Sequence, residues 1–269
     1  MVKSTKKTIE KIYMVLILLL LYVPIALLIV SSFNASERNK AVWGGFTLKA
    51  YIELIHDEIV MGALYNTLLL AFGASFIATI LGTLVCIGMI NMKNRSKTII
   101  MGITQIPLLN SDIVTGIALM LLFTKFADLS FATMLIAHVT FIIPYVVLSV
   151  YPKVLQVNLS TYEAALDLGA SHLYAMWKVV VPEIMPGILS GFLLAFTMSL
   201  DDFSVTYFTK APGLNTMSTM INAEYRKGIQ TEIYALSTIV FLIVLFVLFI
   251  INRRSEKLYR QQEESGVVL

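Results

Sequence analysis

NLSTYEAALDLGASHLYAMWKVVVPEIMPG, residues 158–187, is a patterned stretch that joins two long apolar runs. Most of it lies in the 31-residue segment Lys153–Glu183, which is too regular for a linker. Ser160-Thr161-Tyr162-Glu163 fits a capping box, the Ser160 hydroxyl capping a helix and Glu163 reaching back to its amide. Gly169 supplies the left-handed residue that ends this helix. Ser171 starts a second short helix, which the spacing ends before Pro182. Ala164 and Ala165 leave one face of the first helix almost without bulk, so another surface can approach closely. A DNA-reading helix-turn-helix shares this outline, but here both ends are tethered and only Lys153 and Lys178 are available for phosphate contacts.

Working outward, six runs approach or exceed the roughly 20 apolar residues that cross a bilayer. They cover about 12–33, 63–92, 98–124, 129–152, 184–209 and 233–252. The composition agrees: 58% of the 269 residues are hydrophobic and 14% charged, with a mean hydropathy of +0.81. Soluble domains carry about 25% charge. Disorder is excluded by the apolar excess and a disulfide scaffold by the single Cys86; a nucleic-acid role is not supported, and the net charge of +3 says less than its distribution across a membrane. The predicted fold is an all-α polytopic membrane protein, a single domain over residues 1–269 with Lys153–Glu183 as a structured loop between spans four and five.

The first run follows Lys3, Lys6, Lys7 and Lys11 and resembles a signal peptide, but it is too long and no small-residue cleavage site follows. It is expected to remain as a helix. With the N-terminus in the cytoplasm, thirteen Lys/Arg fall inside and seven outside, as the positive-inside rule requires. Both termini are then cytoplasmic. The net charge divides into +6 inside, 0 outside and −3 within the spans.

Glu163-Ala164-Ala165, three residues, Gly169, nine residues and Val179-Val180-Val181-Pro182 resemble the EAA loop of permease subunits of binding-protein-dependent ABC importers. Val179 and Val181 stand where that pattern has Ile and Leu. The likeness extends along the chain to the spermidine/putrescine permeases, and specifically to the C-type subunit of a two-permease complex. It is carried by Tyr22-Val23-Pro24-Ile25, Ser32-Phe33-Asn34, Trp43, Gly45, Phe46, Thr47, Tyr51, Asp112-Ile113-Val114 and Ser199-Leu200-Asp201-Asp202. Importers of iron, opines and other solutes share parts of this set. The resemblance implies a type I importer permease fold in the inner membrane of a bacterium, with a coupling helix seated on a cytoplasmic ATPase dimer. Glu163, Ala164, Ala165, Gly169 and Pro182 would serve that docking. It further implies a second homologous permease and an extracytoplasmic polyamine-binding protein, with surrounding lipid and no nucleic-acid partner. ATP and Mg would be held by the ATPase and no cofactor by this chain, which has no G-x-x-x-x-G-K-[ST] phosphate loop.

Three acids lie within apolar runs, where a charge costs about 2.5–3.5 kcal/mol and therefore faces a bundle interior or a water-filled path. In straight helices Asp112 and Asp201 would lie about 20 and 25 Å from the cytoplasmic starts of their spans. An anionic path formed by Asp112, Asp201 and Asp202 would favour a polycation. Tyr207, with Phe203, could add a cation–π surface, or the two rings could be interface anchors. The other reading of the acids is that they cap broken helices or pair with a cation of the partner permease. Adjacent residues point about 100° apart on a helix, so Asp201 and Asp202 cannot share one lumen unless the helix is interrupted, and one of them is expected to be structural.

Pro107 and Pro144 mark possible kinks, and Gly187 and Gly191 form a G-x-x-x-G packing pair. His56, His138 and His172 are too dispersed to make a metal site. His138 reads as a helix-packing residue, and Cys86 as a small apolar filler. An intramembrane serine protease built on Gly73-Ala74-Ser75 and His138 fails because Phe76 breaks the motif and nothing in the sequence orients the histidine. A stand-alone ion-coupled transporter would use the same acids, but it leaves the EAA loop without a purpose.

Overall fold

The computed structural model describes residues 2–36, 42–90, 92–225 and 231–264. They form helices and connecting turns, and the sole β-bridge among them joins Asn34 to Phe46. The chain divides into two compact units, Met1–Met61 with Ile221–Leu245 and Gly62–Met220 with Phe246–Leu269.

In the first unit, α1 (Val2–Ser32) is exposed along its apolar length, as suits a helix facing lipid or a partner. It ends in a knot that gathers residues scattered over twenty positions of sequence. The Phe33 ring lies 5.2 Å from Phe46 and 5.1 Å from Tyr51, whose hydroxyl is 2.6 Å from that of Ser32. Asn34 is buried and pins the returning chain: its Oδ1 accepts from the Gly44 amide at 2.8 Å and its Nδ2 donates to the Val42 carbonyl at 2.9 Å. The short α2 (Lys49–His56) follows.

The second unit contains most of α3 (Glu58–Gly88), then α4 (Asn94–Leu109), α5 (Asp112–Phe123) and α6 (Phe131–Val154). Next come α7 (Leu159–Asp167), α8 (His172–Ala175), a π-helical turn at Met176–Val180 and α9 (Val181–Asp201). The short α10 (Ser204–Thr209) precedes α11 (Met217–Tyr225), of which this unit holds the residues up to Met220, and it holds α12 (Thr231–Glu264) from Phe246 onward. Small residues set the packing. A methyl group on Gly82 of α3 would lie 2.7 Å from Val146 of α6; one on Gly187 of α9 would lie 3.1 Å from the Ser149 carbonyl of α6; and one on Gly191 would lie 3.4 Å from the Val146 backbone. The G-x-x-x-G pair therefore brings α9 against α6, as small residues do where lipid supplies no hydrophobic drive between helices. Ile142, Val146, Val147 and Val150 of α6 fill the seam, with Ala74 and Ala78 of α3 and Ile184 and Ala195 of α9.

Lys11–Ser32, Glu58–Gly88, Phe131–Val154 and His172–Asp201 are long and apolar enough to cross a membrane. The bent pair α4–α5 counts as a fifth span if taken together, and Ile233–Val247 is a shorter apolar stretch. Two of the expected spans are interrupted rather than straight. The run 98–124 is not one rod, because α4 and α5 meet at 103° across Asn110 and Ser111. Pro107 removes a helical donor near the end of α4, and Asn110-Ser111-Asp112 is a sequence of helix-starting residues. The run 184–209 is likewise interrupted after Asp201, where Asp202 takes an extended conformation (φ −65°, ψ 125°).

Candidate functional site

The polar loop folds as helix, glycine turn and helix, with its first cap displaced. The expected Ser160–Glu163 capping box does not form. Asn158 is the N-cap, its side chain accepting from the Ser160 amide at 3.0 Å, and its own amide donates to Oε1 of Glu183 on α9 at 3.2 Å. Asparagine caps as well as serine, so the helix starts earlier and Glu163 is left exposed beside exposed Ala164. Gly169 takes φ +88°, its amide donating to the Leu166 carbonyl at 2.8 Å and that of Ala170 to Ala165 at 3.0 Å, which is a Schellman ending. The Ser171 hydroxyl caps α8 by accepting from the Tyr174 amide.

The second helix does not stop before Pro182. A π turn at Met176–Val180 carries α8 into α9, so helix runs from His172 to Asp201. The wider turn accommodates a proline that has no amide to give an α-helical bond. Leu168, Leu173 and Tyr174 are exposed on the loop, at 89%, 71% and 58%. A cavity of about 620 Å³ separates part of the loop from α3, lined by Thr83, Leu84, Tyr162, Met176, Trp177 and Met185 among others.

At the other end of α9 the two adjacent acids divide. Asp201 is exposed. Asp202 turns inward, with a side chain only 5% exposed, and caps α10: Oδ1 accepts from the Val205 amide at 3.2 Å and Oδ2 from the Thr206 amide at 2.7 Å. The interruption thus gives the two side chains different surroundings rather than one lumen. Asp112 opens α5 from an exposed position in its first turn, where a carboxylate complements the helix dipole. One turn further along α5, Gly116 has room for hydrogen only, since a methyl there would lie 3.1 Å from the Ser204 carbonyl. The interruptions beginning α5 and α10 are therefore close to one another. Tyr207 is 55% exposed on α10 with its ring 5.4 Å from Phe203, so both rings stand near Asp201 in sequence and on the same short helix cap. Just past α10, Lys210 donates to Asn215 Oδ1 at 2.6 Å, and partial burial holds its ammonium below the ordinary lysine range.

His138 is more than packing. It is fully buried on α6, with Nδ1 2.8 Å from the Ser199 hydroxyl, Nε2 2.9 Å from the Thr206 hydroxyl and Nε2 3.5 Å from Asp202 Oδ2. The Ser218 hydroxyl adds a bond of 2.6 Å to the Asp202 carbonyl. Serine, histidine and aspartate are brought together, but Ser199 is 2% exposed inside a helix and Thr206 stands between the ring and the acid. No substrate could reach that hydroxyl. Ser75, the other serine considered with His138, donates to its own helix at the Phe72 carbonyl. A signal for this network was present in the sequence: Ser199, Asp202 and Thr206 recur at i, i+3 and i+7, a polar stripe on one face of an apolar run.

The helices, their interruptions and the loop between two spans define a polytopic transport permease. Residues 78–261 match the family described as "Binding-protein-dependent transport system inner membrane component". The chain belongs to that family and is an inner-membrane component of a bacterial ABC importer. It is 35% identical over 248 residues to the "Putrescine transport system permease protein PotI" of Escherichia coli (strain K12), covering 88% of each chain. It is 34% identical over 234 residues to the "Spermidine/putrescine transport system permease protein PotC" of the same organism, covering 87% of this chain and 88% of that one. Among solved structures, a bacterial ABC transporter involved in the import of alginate matches with a TM-score of 0.70 at 15% identity, over 95% of this chain and 98% of that one. The MetNI methionine transporter matches at 0.61 and 13% identity, over 79% and 99%. Those two likenesses establish the importer permease fold.

Proposed function

We propose that this chain is one of two permeases in a polyamine importer, crossing the membrane six times with both termini in the cytoplasm. In this reading an ATPase dimer receives α7 through Glu163, Ala164 and Ala165. Gly169 and Pro182 set the path of the chain from that helix into α9. The observation that carries the proposal is the continuous helix from His172 to Asp201, which joins the loop to an exposed acid beside a second helix interruption. At 1.5 Å per residue it is a rod of about 45 Å, long enough to relay motion across a bilayer. Asp112, Asp201 and Tyr207 line the cation path, and Asp202 is its scaffold. The names of the 34–35% identical relatives support putrescine and spermidine as cargo; the alginate importer's acidic cargo shows why the fold alone could not.

The test is uptake by proteoliposomes holding this chain with the ATPase, second permease and binding protein from the same genome. Labelled putrescine or spermidine should enter only with ATP, and Gly169→Asp should abolish entry while the chain remains in the membrane. Uptake of iron or an opine to the exclusion of polyamines would overturn the cargo assignment. Polyamine uptake that continues without the ATPase would make the chain a stand-alone transporter.

A further inference from the structure

We infer that His138 is a positioning residue of the transport path: through Thr206 it holds Asp202 in place, keeps α9 and α10 apart, and so sets where Asp201 stands. The inference rests on the reading of Asp201 as part of that path. Its basis is a proton count. Thr206 has a single hydroxyl proton and lies 2.9 Å from Asp202 Oδ2, a carboxylate oxygen that can only accept. The threonine therefore donates to Asp202 and accepts from His138 Nε2–H at 2.9 Å. Nδ1, left with its lone pair, accepts from Ser199 at 2.8 Å. This network assigns one tautomer and one ring orientation, and the chain of donors ends on the carboxylate.

The consequence follows from where these atoms lie. A helix interruption in an apolar run leaves backbone groups that no water can satisfy, so it persists only while side chains occupy them. Here Asp202 caps the Val205 and Thr206 amides, and Ser218 occupies the Asp202 carbonyl. The buried carboxylate depends in turn on Thr206 and the imidazole beside it. His138 belongs to α6, the helix that α9 meets through Gly187 and Gly191. The clamp consequently references Asp201 to the same helix against which the rod bears. Removing the ring leaves the Ser199 hydroxyl without its acceptor and the Thr206 hydroxyl without its donor, and the least costly relief is for the interruption to shift.

The arms of the ring can be separated. Glutamine places an amide N–H where Nε2 stands and can supply Thr206; asparagine reaches only the Nδ1 position and can serve Ser199. The experiment uses the assembled complex, with Asp201→Cys as a reporter in a Cys86→Ala background and a water-soluble cationic thiol reagent as probe. Labelling reads the placement of position 201 and does not depend on which solute the complex carries. His138→Asn and Thr206→Val should slow labelling by about tenfold, the scale of losing one hydrogen-bond partner at a buried charged group. His138→Gln should restore it, and His138→Asn combined with Thr206→Val should be no slower than either alone. With Asp201 intact, His138→Asn should also raise KM for polyamine, and His138→Gln should return it towards the original value. Equal labelling in the Asn and Gln variants at equal membrane abundance would overturn the clamp, as would loss of both from the membrane while Thr206→Val labels normally. A complex that labels as expected but carries no polyamine would instead overturn the function proposed above.

Discussion

Asp201 and Asp202 are neighbours with opposite requirements. The exposed Asp201 carboxylate makes no hydrogen bond or ion pair among the described residues, whereas Asp202 is satisfied by two amides and a hydroxyl. Their asparagine variants should therefore fail differently. Asp201→Asn removes a charge and disturbs no cap, so membrane abundance should be normal while polyamine uptake falls by about tenfold, or roughly 1.4 kcal/mol. Asp202→Asn puts an amide where a carboxylate accepted from several donors, so it should lower assembled protein by an effect of about 1–2 kcal/mol. Quantitative blotting beside uptake checks both, and the same defect in both variants would mean that the acids share one role. The sequence made clear that two adjacent carboxylates could not share one lumen on an unbroken helix. It could not say which one turned inward, because that choice depends on His138, sixty-odd positions away, and on Thr206 arriving at the right distance after the interruption.

Among the elements, the π turn before α9 is the least expected. Each boundary residue of the loop is a competent helix-former or helix-stopper, and local preference chose Ser160 and Pro182 as the limits. Asn158 outcompeted Ser160 because its amide also finds Glu183, a tertiary contact that no local pattern contains. Pro182 did not end the helix because a π turn holds one residue more than an α turn and lets the chain continue past the missing donor. Gly169, in contrast, was legible: a left-handed residue after an amphipathic helix has few alternatives to glycine. Inserting one alanine after Lys178, an exposed residue within a π turn that already holds its extra residue, should rotate α7 about α9 by roughly 100°. The variant should insert normally yet lose uptake, with binding of the purified ATPase reduced in pull-down. Lys178→Ala, which keeps the residue count, should behave like the parent. Equal defects in the two would show that the side chain, rather than the register, matters.

For the whole molecule, apolar run length marked stretches that are helical, but it could not register the 103° bend at Asn110–Ser111 or the pause at Asp202, since neither changes the average polarity of its run. The knot of Ser32, Phe33, Asn34, Phe46 and Tyr51 shows a related limit: these residues carried family likeness, and the structure gives them work in folding. The orientation drawn from the positive charges has a direct check. Reporter fusions active only outside the cytoplasm should report at Asp128 and stay silent at Arg95, and the reverse pattern would invert the proposed topology. The continuous helix from His172 to Asp201 has a thermodynamic counterpart. If ATPase closure changes the affinity of the path for a cation, then the cation must change the free energy of closure by the same amount. Polyamine held at Asp201 would therefore be felt at the nucleotide sites without touching them. An Asp201→Asn complex should show nucleotide affinity that no longer responds to polyamine, even at concentrations that saturate the binding protein.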